Sequence, residues 1–139
     1  MKKYRSKIGL GIILFLLTIL GGTSILMVYL QAWPGLLIII LLAAFIIHTF
    51  LTTIYEVKEK VLIIRSGFFV NEAINIESIT KISETKNMMS SPANSLDRLE
   101  IRYEKNKTIM ISPINKDDFL NHMKEINSDI EIKRTKKHE

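Results

Sequence analysis

Between Lys7 and Glu56 the chain carries no Asp, Glu, Lys or Arg, and most of what fills that interval is aliphatic or aromatic. An uncharged stretch of this length has no polar face to show to water. It is instead long enough for two passes through a hydrocarbon layer about 30 Å thick, at about 20 residues for each pass. Apolar runs at residues 8–30 and 36–54 are the two expected helices, with Gln31, Ala32, Trp33, Pro34 and Gly35 between them. Proline and glycine favour turns, and Tyr29 and Trp33 are amphipathic rings suited to a membrane interface. The expectation is a two-helix transmembrane hairpin occupying residues 1–54. A cleaved signal peptide is the competing reading, because a basic start followed by an apolar run and Gly21, Gly22, Thr23 and Ser24 has that form. Against it, the apolar run continues to Leu30 without a small-x-small site, and a second span follows at once.

Charge gives the expected orientation. Lys2, Lys3, Arg5 and Lys7 precede the first span, the intervening loop has no basic residue, and Lys58, Lys60 and Arg65 follow the second. By the positive-inside rule both termini are cytoplasmic in a multi-pass protein of the cell membrane. The overall charge of +5 therefore does not mark a nucleic-acid partner. Outside the amino-terminal flank and the basic tail at 133–139, the rest of the chain has 11 basic and 13 acidic residues. A nucleic-acid footprint needs a basic face on the folded domain itself.

Residues 55–132 are enough for one small domain. Tyr55 and Val57 alternate with Glu56 and Lys58, and the polar turn Lys58, Glu59 and Lys60 leads into Val61, Leu62, Ile63 and Ile64, a hairpin pattern. Ser66 and Gly67 form a turn into Phe68, Phe69 and Val70, with a further strand through Ala73, Ile74 and Ile76. Leu99, Ile101 and Tyr103 alternate with Arg98, Glu100, Arg102 and Glu104, predicting a strand with one buried and one charged face. A second buried face continues at Ile109 and Ile111. Asn115 is a plausible N-cap for a last helix, with Asp117 and Asp118 in its first turn and an apolar stripe of Phe119, Leu120, Met123 and Ile126. The fold class is α+β, strands followed by one capping helix, with a loose polar tail after Ile132.

The chemistry expected of this domain is sparse. The last glycine is Gly67, so a glycine-rich phosphate loop has no place in it. With no cysteine, and only His122 and His138 beyond the spans, no usual metal-ligand spacing occurs and no cofactor is expected. Ser91, Ser95, Asp97 and His122 are the residue types of a hydrolytic triad, but no nucleophile-elbow glycines flank either serine. No catalytic residue is assigned, and the chain is not expected to be an enzyme. His48, the titratable side chain of the spans, lies within about two turns of the second helix's cytoplasmic end, where a neutral imidazole reaches the interface.

The run Ser91-Pro92-Ala93-Asn94-Ser95-Leu96-Asp97-Arg98-Leu99-Glu100-Ile101, then Ile111-Ser112-Pro113 and Phe119, resembles the YyaB-like bacterial pleckstrin-homology-like (PH-like) proteins of Gram-positive bacteria. The resemblance implies a PH-like antiparallel β-sandwich or barrel closed by the last helix. It implies little about activity, and a more distant PH-like relative acts in self-immunity to a secreted bacteriocin. By the same resemblance Ser91, Pro92, Ala93, Ser95, Asp97 and Arg98 form a signature loop, the candidate partner site. A structural role for these residues competes, since Asp97 and Ser95 can satisfy local backbone amides, Pro92 can fix the loop and Arg98 can pair with an acid.

The function expected is a membrane-anchored, non-catalytic binding or scaffolding module. Its partners are the lipid bilayer and a protein or peptide at the inner membrane surface. A lipid headgroup is less favoured because the domain's core is slightly acidic. Bacteriocin self-immunity or protection from membrane stress is the alternative.

Overall fold

The computed structural model describes residues 1–85 and 97–135. It opens with strand β1 (Lys2–Arg5), followed by helices α1 (Leu10–Tyr29) and α2 (Trp33–Thr52). Strands β2 (Ile54–Lys58), β3 (Val61–Ser66) and β4 (Val70–Asn75) come next, and a 3-10 turn at Ile76–Ser78 leads to β5 (Ile79–Thr85). Then follow β6 (Arg98–Tyr103), β7 (Lys107–Ile111), helix α3 (Lys116–Ile126) and β8 (Glu131–Lys133).

Both long helices are apolar on every side and have no buried residue, as a lipid-facing helix would. Each is long and apolar enough to cross a membrane. Their hydroxyl groups turn inward on the backbone: Thr18 donates to the Leu14 carbonyl, Ser24 to Leu20 and Thr49 to Phe45. These hydroxyls then need no water. The connection is tighter than the sequence predicts. Gln31 takes a left-handed backbone with φ 53°, and α2 starts at Trp33, because Pro34 fits the first helical turn, where its missing N–H costs nothing.

The remaining strands form two antiparallel-dominated sheets, in the orders β1-β2-β3-β4 and β7-β6-β5-β8. Alternation decides which side chains meet between them. Tyr55, Leu62, Ile64 and Ile74 point inward from the first sheet, and Ile82, Leu99, Ile101 and Ile111 from the second. The α3 stripe of Phe119, Leu120 and Met123 closes the open end of this core. Burying one such side chain contributes roughly 1.5–3 kcal/mol, more than any exposed ion pair on the surface, at about 0.2–1 kcal/mol. Asp117 and Asp118 lie in the first turn of α3 as expected, although Asn115 makes no side-chain capping bond.

Three readings change at the edges. Residues 2–5, read from the sequence as a basic flank of a hairpin region spanning 1–54, are an edge strand of the first sheet, paired in register from Lys2↔Val57 to Arg5↔Ile54. The reason is Tyr4. It is 5% exposed, packs edge-on against Phe119 at 5.2 Å, and shares a hydrogen bond with His122 Nδ1 at 3.1 Å. The tail after Ile132, expected to be loose, is held as far as Thr135: Lys133 pairs with Ser83 as the end of β8, which runs parallel to β5, and the Thr135 amide donates to Glu84. Arg98, expected on the water-facing side of β6, is buried where the two sheets close on each other.

That closure joins β1 to the end of β7. The Lys7 amide donates to the Ser112 carbonyl, the Ile114 amide to the Arg5 carbonyl, and Ser6 bridges Pro113. Behind it the buried Tyr55 hydroxyl donates to Ser6 Oγ at 3.1 Å and accepts from the Ser112 amide at 3.2 Å. Burial raises the Tyr55 phenol above its ordinary value.

The first strand is thus part of the core. Replacing residues 8–52 by a short Gly-Ser linker is expected to leave a folded, water-soluble domain, whereas a chain starting at Thr53 exposes the β2 edge and the Tyr4 site. Loss of cooperative urea unfolding in the second chain but not the first is the expected result.

Candidate functional site

Registers fix what gathers at the end of the domain nearest the helices. Arg5 pairs with Ile54, the second residue after α2, and Ile54 pairs with Arg65. In the other sheet Thr85 pairs with Arg98 and Leu99 with Ile111. The β3–β4 turn, the facing ends of β5 and β6 at Thr85 and Arg98, and the β7–α3 connection therefore share this end with both helix roots.

Of the candidate loop, Ser91, Pro92, Ala93 and Ser95 lie outside the described residues, and Asp97 and Arg98 lie within them. The structure brings Asp97 against groups far away in sequence. Its carboxylate accepts from Lys7 Nζ at 3.1 Å and Lys116 Nζ at 2.9 Å, and Lys116 also pairs with Glu84 at 3.1 Å. The hydrogen bond from Lys116 is the main reason that the Asp97 carboxyl lies below the usual carboxylate range; partial burial opposes it and Lys7 assists. Burial pulls the Lys116 ammonium down, but its bonds to Asp97 and Glu84 outweigh that and leave it raised. The charge of Arg98 acts on Tyr55. Asp97 is thus a structural clasp between the root of α1 and the start of α3, as well as a member of the candidate site.

Beside the clasp opens a groove of about 790 Å³. Its acidic lining is Glu84, Asp97, Asp117 and Asp118, against Lys116 and Arg134. One wall is the carboxy-terminal segment that sequence reasoning left loose: the Thr135 amide donates to Glu84 at 2.9 Å, and Arg134 pairs with Asp117 at 3.1 Å. Ile114 supplies an exposed apolar residue to the lining. Carboxylates thus outnumber cations along the lining, with Asp118 also paired to Lys2 at 2.9 Å, beside one exposed apolar residue. Glu84, Lys116 and Arg134 carry no local motif, so sequence patterning had no signal for them.

Among the described residues no catalytic arrangement accompanies the groove. Asp97 is engaged by two lysines, while His122 is held by the Tyr4 hydroxyl. Among the described residues no group of three or more His, Asp or Glu is placed to hold a metal ion.

Among the described residues eight strands in two sheets and a closing helix make up the domain, and this arrangement has counterparts among known proteins. The Bacterial PH domain family matches residues 53–127, more than half of the chain. The chain belongs to the bacterial PH domain family. The matched span runs from the root of α2 through α3, so β1 lies outside it although β1 completes the sheet. No curated protein matches the chain. Two solved structures share part of its shape. One is the C-terminal domain of an unknown protein from Leishmania infantum, 14% identical, with a TM-score of 0.42 over 53% of this chain and 66% of that one. The other is the Spt16D Pob3N heterodimer, 11% identical, with a TM-score of 0.42 over 62% of this chain and 48% of that one. The chain thus spans less than two thirds of either, and likenesses this distant have no bearing on function. PH-like domains are in general non-catalytic binding modules, and this bacterial PH domain carries two apolar helices near its amino terminus.

The clasp has a measurable pH signature. Because the Asp97 carboxyl is depressed on folding, its contribution is present above the ordinary carboxylate range and is lost as pH falls below it. Asp97→Asn is expected to lower stability by about 1 kcal/mol or less at neutral pH, the carboxylate being half exposed. In urea titrations the gap between the two proteins should begin to narrow below about pH 4, where the unfolded carboxyl protonates, and close only at lower pH, where the depressed native carboxyl is protonated as well.

Proposed function

We propose that this bacterial PH domain is a membrane-anchored, non-catalytic docking module, and that its acidic groove receives a basic, partly apolar protein segment at the inner membrane surface. The observation that carries this reading is the placement of the groove. It opens beside Lys7, three residues before α1, so a partner seated there lies at the membrane surface. Its charge favours a cationic protein segment over an anionic headgroup.

Orientation follows from charge and connectivity together. Pairing of β1 with β2 keeps the amino terminus and the domain on one side of the hairpin, and the basic flanks assign that side to the cytoplasm. In this reading residues 8–53 are a hairpin inserted into the domain after its first strand, and the domain comprises the strand before it and residues 54–133. The Ser91-to-Ile101 run supports the narrower placement among YyaB-like proteins of Gram-positive bacteria. No described residue favours bacteriocin self-immunity over docking.

In living cells, a photoreactive phenylalanine analogue at Ile114 is expected to form a protein adduct, and Asp97→Lys with Asp117→Lys to abolish it. Adducts unaffected by the charge reversal, or adducts with lipid alone, would sink the docking reading. Reporter fusions at Glu139 should report a cytoplasmic carboxy terminus.

A further inference from the structure

The β3–β4 turn does not project into water away from the helices. It runs along α2. Ser66 Oγ lies 2.8 Å from Thr53 Oγ1. Gly67 follows with φ +56°, and a Cβ there would stand 3.2 Å from Thr49 Oγ1, so glycine serves both the left-handed backbone and the close approach. The Phe68 ring stacks on the His48 imidazole, with centroids 4.7 Å apart and planes 4° from parallel. Phe69 meets Phe45 edge-on at 6.0 Å. The contacted positions, Thr53, Thr49, His48 and Phe45, follow one face of the helix from its root toward its middle. Phe45 lies about 10 Å along the axis from Thr52, at 1.5 Å per residue.

Despite these contacts Phe68 and Phe69 remain 79% and 83% exposed. Phe45, which Phe69 meets on α2, is itself exposed. Whatever covers this face of α2 therefore covers the turn. The chemistry of α2 also sets a level: Thr53, Thr52, Thr49 and His48 are the polar positions of an interface, and Phe45 begins the uninterrupted apolar part. The turn's backbone sits beside the polar positions, where its amides and carbonyls can reach headgroup water. Only the ring of Phe69 passes beyond, so no irregular backbone has to be placed in hydrocarbon.

We propose that the tip Gly67-Phe68-Phe69 is a third membrane-inserted element, an aromatic wedge in the headgroup and upper acyl region that holds the domain at a fixed height and tilt against the bilayer. It also gives His48 a role: its imidazole is the shelf on which Phe68 rests. The inference rests on the membrane reading of α2, and the test separates the two.

Trp33 is the single tryptophan of the chain, so a Trp33→Phe background accepts one indole reporter. Phe69→Trp reports the tip, and Leu41→Trp, midway along α2 and exposed, reports the span. The full chain is reconstituted in phosphatidylcholine–phosphatidylglycerol vesicles, with lipids brominated near the top of the acyl chain or with aqueous iodide as quenchers. The Phe69→Trp reporter is expected to lose more than half its emission to the brominated lipid and little to iodide. Quenching by iodide instead, with the Leu41→Trp reporter quenched by brominated lipid, overturns the wedge and keeps the span. Protection of the Phe69→Trp reporter from both quenchers means that protein covers the tip, and also overturns it. If the Leu41→Trp reporter escapes brominated lipid, the span and the wedge fail together.

Discussion

Pairing of Lys2–Arg5 with Ile54–Lys58 is the constraint on which the rest depends. A four-residue edge strand is a weak element by itself. Here it spans an insertion of two helices and brings the ends of that insertion together, so the entropy of closing a long loop is largely met by the helices packing antiparallel. In return the strand supplies Tyr4 to the core and lets the two sheets close through Ser6, Ser112 and the buried Tyr55 hydroxyl. Helices and domain are therefore not beads joined by a linker. The apolar hairpin is spliced into the domain's first β-hairpin.

That splice decides what the hairpin end of the domain contains. With both helix roots there, the β3–β4 turn is laid against α2 and the start of α3 is clasped to the root of α1 through Asp97. Two chemically different surfaces result. An acidic groove faces the α3 side, and an aromatic tip lies along α2. In the proposed reading the first takes a cationic segment and the second a lipid. Division of labour of this kind would let one end of a small domain both rest on a bilayer and present a selective surface beside it.

Much of this was legible in the sequence where the physics is local. The charge-free interval could only be apolar helices, and the alternation through Leu99, Ile101 and Tyr103 could only be a half-buried strand. Asp117 and Asp118 marked the start of α3. What was hidden depends on partners distant in sequence. Lys-Lys-Tyr-Arg has one apolar residue and reads as a basic flank until Val57 and Tyr55, about fifty residues on, are set beside it. Phe68 and Phe69 read as the start of a strand because aromatic residues favour strands, yet the glycine before them places them in the turn. The Asp97 clasp needed Lys7 and Lys116, and no local pattern links the three.

Cross-strand geometry tests the splice itself most directly. The chain has no cysteine, so Lys3→Cys with Glu56→Cys creates a single pair at directly opposed positions. Opposed residues in antiparallel strands have Cα atoms about 4.5–5.5 Å apart, within the range a disulfide needs. On mild oxidation of the full chain in membranes, an intramolecular disulfide is expected to form quickly, and Lys3→Cys with Glu59→Cys should form none. Failure of the in-register pair to close, or disulfides forming between molecules instead, would contradict a first strand contributed from before the hairpin.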